Sequence, residues 1–501
     1  MVEQNDFASG TSSRSSKLIH GGLRYLPHGE FSLVREVSRE RTRLATLMPH
    51  LIRPLSTTIP VYRWSPYSMA TLPWALWYYD RLSHTASHYR HHRLTPNLVM
   101  AHAPGIEPEA LTGGVSYWEY WGHDARIVWS VIETAESLGA ITVNYTTVTD
   151  PQELTKRCRS SPVDIEVVDN RSQKSYAVTT RLIINAAGPW ADQMDSRHPL
   201  VRSRGIHLVF PHERLPLSHL TILPTEDGAN VFAVPQGSIT YVGTTDCPDS
   251  GDINCPSLPM SDVKYLLTIV NRIFPQTRLQ TRDIIAAWSG LRPLIADDAN
   301  THTDRLSRRD LITSEGSLIT VLGGKFTGFR ATAQNVTRTV LQRLDPPATV
   351  PAVEAIISAP AQDQMHIWHQ QLVESTGLDQ TLIESLLQRY GIALKNLAVW
   401  ANQIPDGFDR VVDSAPVLHA EISWSVMKEQ VQTVADFVIR RTGMAWLAGL
   451  SPNTVALLIN RVAETMRPLF DWSSAEMHQQ ILQCQNACYL PQVLAMRQSP
   501  E

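Results

Sequence analysis

Residues 181–188 read RLIINAAG, a short apolar run that stops on Asn185 and three small residues. Such a run reads as a brief strand, and what precedes it decides its setting. Immediately upstream, DIEVVDNRSQKSYAVTT (164–180) has the pattern of a hairpin turning at Asp169-Asn170. Before that, AITVNYTTVTD (140–150) reads as a strand. DARIVWSVIETAESLG (124–139) reads as a helix, with Val128, Ile132, Ala135 and Leu138 at helical spacing, Asp124 as N-cap and Gly139 as C-cap. Helix, strand, hairpin, strand is α/β organisation, and such chains hold ligands at the C-terminal ends of their strands.

Toward the C-terminus, residues 201–330 read mostly as strands: GIHLVFP, NVFAVPQ, SITYVGTTD and SLITVLGGK, with a helix expected in SDVKYLLTIVNRIF. The stretch LDPPATVPAVEAIISAPAQ (344–362) is rich in Pro and Ala and reads as a linker. Beyond it the pattern is helical. EISWSVMKEQVQTVADFVIRRTG (421–443) predicts one helix with Met427, Val431, Val434 and Val438 on a face, Arg440 and Arg441 in its last turn and Gly443 as cap. The expected units are 1–345 and a helical unit over 355–501. No internal repeat is apparent.

A chain of 501 residues exceeds one ordinary core, and its 43% apolar content supplies more than one. Lys plus Arg total 44 against 48 Asp plus Glu, so the net charge of −4 gives no reason to expect nucleic acid. Any cationic cluster is local and points to a small anion. The five cysteines (158, 247, 255, 484, 488) form no CxxC, and their odd count and low density fit a reducing compartment. Cys484 and Cys488, four apart, read as core rather than as metal ligands, so no metal is expected. The polar first twenty residues carry no signal peptide. The longest uncharged run, WSPYSMATLPWALWYY (64–79), is broken by Pro73 and too short to cross a bilayer. Its aromatics suit a buried or interfacial cluster, with membrane-surface contact the alternative.

The chemistry concentrates in DFASGTSSRSSKLIHGGLRYL (6–26), where hydroxyls and glycines crowd against Arg14, Lys17, His20 and Arg24. Composition alone allows a solvated Ser-rich loop. The functional reading is an anion cradle at a loop-to-helix start. Gly21 and Gly22 let the backbone approach a flat ligand. GTTD (243–246) is either a turn or a polar lining. Arg292 in SGLRPL is either paired inside or aimed at an anion, because an unpaired buried guanidinium is costly. GGKFTGFR (323–330) follows an apolar strand with a Gly-Gly turn and Lys325, a second anion-ready terminus, and it is not a Walker motif. His207, inside RSRGIHLVFP, is a core histidine unless anion sites surround it, in which case it is a general-base candidate. Glycine turns and cations spread over this length suggest one site, built from separated strand ends, for a phosphorylated ligand and a large cofactor.

In their order, FASGTSSRSSKLIHGGLRYL, YWEYWGHDAR, NAAGPWAD, RGIHLVFP, VGTTD, SGLRPL and GGKFTGFR resemble the FAD-dependent glycerol-3-phosphate dehydrogenase family over nearly the whole chain. NAAGPW alone marks only the wider DAO superfamily of flavin oxidoreductases. The resemblance implies an α/β fold: a FAD/NAD(P)-binding Rossmann-like domain, incomplete at its N-terminus, an interleaved β-rich substrate domain and an α-helical C-terminal domain. It implies oxidation of sn-glycerol 3-phosphate to dihydroxyacetone phosphate, with the hydride going to FAD and the electrons to a quinone. It places the enzyme peripherally on a membrane, at the cytoplasmic face of a bacterial inner membrane or alternatively at the mitochondrial inner membrane.

By the same resemblance Arg24, Arg292 and Lys325 clamp the phosphate, Tyr25 lies beside them, and His207 is the base with His20 in reserve. FAD is bordered by Thr11, Ser12, Ser13, Lys17, Leu18, Ile19, His20, Gly21, Gly188, Trp190, Gly324 and Thr327, and Glu3 meets the adenosine ribose. The family's G-x-G-x-x-G turn is absent, and the chain aligns from the end of the second Rossmann strand, about 30 residues into the pattern. Weak FAD retention is expected on that ground. His123 stands where the family tends to have Asp, and Phe326 and Phe329 also depart from it. The rival readings are a superfamily oxidase acting on an amino or hydroxy acid through a carboxylate clamp, and a truncated, non-catalytic remnant.

Overall fold

The computed structural model describes residues 1–26, 29–159, 161–225, 230–295, 310–344 and 362–498. Among them a nine-stranded sheet organises the molecule. From one edge it runs Cys247–Pro248, Leu200–Pro211, Ile239–Gly243, Asn230–Gln236, Leu220–Pro224, Ile52–Tyr62, Leu111–Gly122 and His92–Leu94, and strand Ala286–Ile295 also pairs with Leu200–Pro211. Strand Leu200–Pro211 is therefore central, with neighbours on both sides. That explains its uninterrupted burial from Gly205 to Phe210.

Two three-stranded sheets complete the β structure. In one, Ile183–Asn185 lies parallel to Leu318–Gly323, which pairs with Asp310–Glu315. This parallel pair is the α/β signature read from RLIINAAG. The other joins Thr146–Val148, Val163–Asp169 and Ser175–Thr180. The hairpin is as expected, although its turn extends beyond Asp169-Asn170 to Lys174, whose carbonyl accepts from the Asp169 N–H. The strand expected over 140–150 shrinks to Thr146–Val148. Residues 141–145 instead hold the first residues of the chain, with Val2 bridging Val143 in parallel and the Glu3 N–H donating to the Val143 carbonyl at 2.9 Å.

Helix Asp124–Ser137 starts one residue earlier than expected, at the residue read as its cap. His123 takes the N-cap, accepting from the Arg126 N–H at 3.4 Å. Asp124 is drawn inside because its carboxylate is bound elsewhere, to Lys17 and Ser15. TSSRSSK opens no helix. It forms only a single turn at Thr11–Ser13, so the expected helix dipole is absent there.

The predicted single helix over 421–443 is broken. One helix covers His419–Lys428, Gln430 has φ +53°, and a wide-turn helix covers Asp436–Arg441. Val431, Val434 and Val438 are buried while Met427 is exposed, so no common face unites them. The break serves charge rather than apolar spacing. Arg440 and Arg441 are buried on Asp6, with Arg440 Nε at 2.5 Å and Arg441 Nη1 and Nη2 at 2.9 Å. Glu429 receives Arg126 at 2.8 and 2.9 Å, and Glu421 receives Arg389 at 2.8 Å. Buried ions survive only when paired and hydrogen-bonded in this way. The seam ties the start of the chain to the C-terminal helices. Those helices also share a core with the sheet, where Phe437, Leu458 and Val462 pack with Val209, Leu220 and Trp288. Cys484 and Cys488 lie in the same core, and the described residues hold no group of three or more side chains able to bind a metal ion. The linker expected over 344–362 falls outside the described residues except at its ends.

Candidate active site

Strand register builds the first half of the site. His207 lies opposite Gly243 on one neighbour and Trp288 on the other. Across such a rung side chains on one face meet, so the imidazole stacks on Trp288 with ring centroids 4.7 Å apart and planes 13° apart. A side chain at Gly243 would put its Cβ 2.3 Å from His207 Cδ2, so glycine is needed there. Two residues back on the same face, Gly205 leaves room for Arg292, whose own rung partner is Ser203. The Arg292 guanidinium donates to Thr244 Oγ1 at 2.8 Å and to the Thr245 carbonyl at 3.1 Å, with Asp246 at 3.5 Å. GTTD is thus a polar lining, and Arg292 is partly exposed above it.

The N-terminal segment closes over this face. Ser16 Oγ meets His207 Nε2 at 2.9 Å. Tyr241 OH donates to the Ser16 carbonyl at 2.9 Å and Trp288 Nε1 to the Ser15 carbonyl at 3.1 Å. Lys17, in a left-handed conformation (φ +56°), turns its ammonium inward to Asp124 at 2.8 Å and the Ser13 carbonyl at 3.0 Å. The ammonium lies over both Trp288 (5.3 Å) and Trp446 (5.6 Å), the latter from the C-terminal helices. Burial first, then the charges of Arg292 and Lys17, push the His207 imidazole well below its ordinary pKa, which keeps it neutral. Nδ1 is enclosed and has no hydrogen-bond partner among the described residues, so Nε2 is the reachable nitrogen.

The second half sits at the other end of the same segment. Leu18 and Ile19 are buried against strand Leu111–Gly122, with the Ile19 N–H donating to the Tyr120 carbonyl at 2.8 Å. The Gly21 N–H donates to Glu119 Oε2 at 2.9 Å. A Cβ on Gly21 would lie 1.8 Å from Tyr79 OH. Arg41 Nη1 donates to both Tyr79 OH (3.0 Å) and Glu119 (3.3 Å). Burial raises the Glu119 carboxyl above its ordinary pKa, with Arg41 opposing. The turn then delivers Tyr25, whose ring carries Lys325 Nζ 3.4 Å above its centroid, with His20 at 6.4 Å from the same ring. The backbone of Arg24 forms part of the turn Leu23–Tyr25, and its side chain lies outside the described residues. The structure thus pairs Arg292 with His207 and Lys325 with Tyr25. The segment from Ser16 to Tyr25 touches both pairs.

The remaining cofactor candidates lie on or beside short turns and at the start of the chain. Thr11 Oγ1 donates to the Leu291 carbonyl at 2.6 Å, and Ser12 shares its turn. Trp190 packs under Gly10, where a Cβ would come within 2.9 Å of its ring. Gly188 and Gly324 have φ of +55° and +80°. Glu3 accepts from the Asn5 N–H at 3.1 Å, and burial raises its carboxyl above the ordinary range. Beside it opens a cleft of about 300 Å³, lined by Gln4, Trp190, Gln193 and Gly251 to Asn254. The Ser13 and Thr327 hydroxyls are buried without a hydrogen-bond partner among the described residues. Stranded buried hydroxyls near glycine turns, and separately a polar cleft beside Glu3, fit a large, polar cofactor such as FAD.

Sequence reasoning passed over Ser16, Trp288, Gly205 and Gly243 as individual residues, and over Arg41, Glu119 and Tyr79; it read Asp124 as a helix cap and missed its bond to Lys17. Glu119 had a signal: an acid among aromatics in YWEYWG, in step with the buried positions of its strand.

A family model described as FAD dependent oxidoreductase matches residues 1–332, and one described as the C-terminal domain of alpha-glycerophosphate oxidase matches residues 338–477. The aerobic glycerol-3-phosphate dehydrogenase of Bacillus subtilis (strain 168) is 32% identical over 493 residues, covering 94% of this chain and 87% of that protein. The aerobic glycerol-3-phosphate dehydrogenase of Staphylococcus haemolyticus (strain JCSC1435) is 30% identical over 500 residues, covering 96% and 88%. The crystal structure of the glycerol-3-phosphate dehydrogenase from Bacillus halodurans complexed with FAD superposes with a TM-score of 0.76 at 26% identity, covering 98% of this chain and 89% of that one. With its FAD-binding fold, its helical C-terminal unit and these relatives, the chain belongs to the FAD-dependent oxidoreductase family that includes the aerobic glycerol-3-phosphate dehydrogenases.

Proposed function

We propose that this chain oxidises sn-glycerol 3-phosphate at C2 to dihydroxyacetone phosphate and passes the electrons to a quinone. The observation that carries the reading is Arg292, seated over Gly205 within the lining that holds a buried, neutral His207. A secondary alcohol loses hydride readily only if a base takes its hydroxyl proton and its geometry is fixed. The resemblance assigns the phosphate clamp to Arg292 and Lys325, with Arg24 as third member through its place in GGLRYL. A guanidinium grips a phosphate bidentately while an ammonium adds a point charge. His207 takes the C2 hydroxyl proton at Nε2, the nitrogen that Ser16 occupies at rest. FAD, when bound, supplies the hydride acceptor. Ser13, Thr327, Gly324 and the segment from Thr11 to Gly21 would hold it, with Glu3 toward its ribose.

Residues 1–345 form the FAD and substrate unit in this reading, and 355–501 the helical unit. The enzyme works peripherally on a membrane, and no helix among the described residues is long and apolar enough to cross one. Arg292→Ala should raise the KM for glycerol 3-phosphate at least about tenfold, the loss of one charge-assisted contact of roughly 1.5–3 kcal/mol. Steady-state kinetics with a soluble dye acceptor measures it, and an unchanged KM overturns the clamp.

A further inference from the structure

Asp124 stands at the first turn of its helix but does not cap it, because His123 does. Its carboxylate is fully buried and bound on both oxygens. Oδ1 accepts from Lys17 Nζ and from the Ala125 N–H, each at 2.8 Å. Oδ2 accepts from Ser15 Oγ at 2.7 Å and from the Ser15 N–H at 3.3 Å. The start of a helix suits a carboxylate, so the anion is a fixed point. Its two distant partners, Ser15 and Lys17, are the residues on either side of Ser16. They are also tied to each other, since the Lys17 N–H donates to Ser15 Oγ at 2.9 Å. A lysine holds a left-handed backbone (φ +56°) only where its surroundings impose it. Here the imposing contact is the buried ion pair with Asp124.

Ser16, between these anchors, meets His207 Nε2 through its hydroxyl at 2.9 Å. Among the described residues this is the one hydrogen bond to the imidazole, for Nδ1 has none. Stacking on Trp288, with planes 13° apart, fixes the plane of the ring but not its edge. A half-turn about Cβ–Cγ keeps that plane and puts ring carbon where Nε2 now stands. Histidine's ring torsion is roughly two-fold, so the backbone does not choose between the two. The Ser16 hydroxyl does choose, because only a ring nitrogen can pair with it.

We propose that Asp124 is a positioning residue for the reaction: through Ser15 and Lys17 it holds Ser16 Oγ on His207 Nε2, and so keeps that nitrogen, rather than ring carbon, turned toward the candidate site. The proposal rests on the reading above, in which Nε2 takes the substrate's hydroxyl proton.

The test is a double-mutant cycle on the full, FAD-loaded chain: Ser15→Ala, Ser16→Ala and both together. Ser15→Ala cuts one arm to Asp124 and leaves the ion pair in place. A further variant, Lys17→Met/Asp124→Leu, removes both charges at once, so that neither is left buried alone. Two quantities are read: the kinetics of glycerol 3-phosphate oxidation with a soluble dye, and the nuclear magnetic resonance signal of the His207 ring. The second uses protein isotopically labelled at histidine Cε1, without substrate, and the signal is assigned by its loss in His207→Asn. Ser16→Ala should lower kcat roughly 3- to 10-fold, the loss of one ordinary hydrogen bond, with KM near the wild-type value. Ser15→Ala should lower kcat too, and should cost nothing more when added to Ser16→Ala, because both act through one contact. The His207 signal should move in both single variants and in Lys17→Met/Asp124→Leu. Additive losses in the double variant overturn the proposal. So does a change confined to KM, or a His207 signal that Ser15→Ala leaves unmoved. If the ring signal responds as expected but His207→Asn turns over at the wild-type rate, the functional reading fails and the hold of Asp124 on the imidazole stands.

Discussion

Gly205→Ala displaces Arg292 without touching its charge, and the structure sets the size of the effect. The new methyl would sit 2.5 Å from Arg292 Nη2, 3.0 Å from Cζ and 2.3 Å from Thr244 Oγ1. Restoring ordinary contact at 3.4 Å moves the guanidinium by about 0.9 Å. Thr244 Oγ1 must also give way, by about 1.1 Å, so its 2.8 Å bond with Arg292 Nη2 cannot keep its present geometry. Losing one well-aimed contact to a charged group costs about 1.5–3 kcal/mol, or roughly 10- to 150-fold in kcat/KM at 1.4 kcal/mol per decade. The loss should fall mainly on KM, because His207 and its bond to Ser16 lie one step further along the strand. The assay is initial rate against glycerol 3-phosphate concentration with a soluble acceptor, beside a thermal melt of the same sample. A folded Gly205→Ala protein with wild-type KM refutes the idea that Arg292 must stand where Gly205 admits it.

Two further outcomes follow from buried charge. Burial alone would raise the Asp6 carboxyl, but Arg441 and Arg440 hold it below the ordinary carboxylate range. Its contribution to stability is therefore complete above about pH 4 and lost as the pH falls through its lowered value. Asp6→Asn should cost about 3–5 kcal/mol at neutral pH and flatten the acid side of a melting-temperature profile; an undiminished acid slope would show that Asp6 is not the group responsible. His207 is held well below its ordinary pKa of about 6.5. The kcat/KM profile should accordingly stay flat from pH 8 through 6.5 and fall only at lower pH, and an acid limb centred at 6.5 or above counts against His207 as the base.

What could be read from the sequence tracks how local its cause is. RLIINAAG, the 164–180 hairpin and the strands GIHLVFP, NVFAVPQ and SITYVGTTD are settled by apolar pattern and turn residues, and each holds a strand, the last one ending at Gly243. The helix through 421–443 fails because its register is fixed by partners more than four hundred residues away, Asp6 for Arg440 and Arg441. No periodicity within the segment encodes that. TSSRSSK was legible as a polar loop but not as helix-free, since its hydroxyls and ammonium are spent on Asp124, Leu291 and His207. Gly205 and Gly243 were invisible for a related reason. A glycine in a strand interior announces a close approach, but which side chain approaches depends on cross-strand register. Motif order pointed to Arg292, His207 and Lys325; the register shows why His207 needs Gly243 and Arg292 needs Gly205.

The most direct test mixes FAD-loaded protein with substrate in the absence of oxygen and follows the visible flavin absorbance. If clustered cations select a phosphorylated alcohol for a neutral imidazole, sn-glycerol 3-phosphate should bleach the flavin at concentrations at which glycerol does nothing. Equal bleaching by glycerol, or none by glycerol 3-phosphate, would contradict the account.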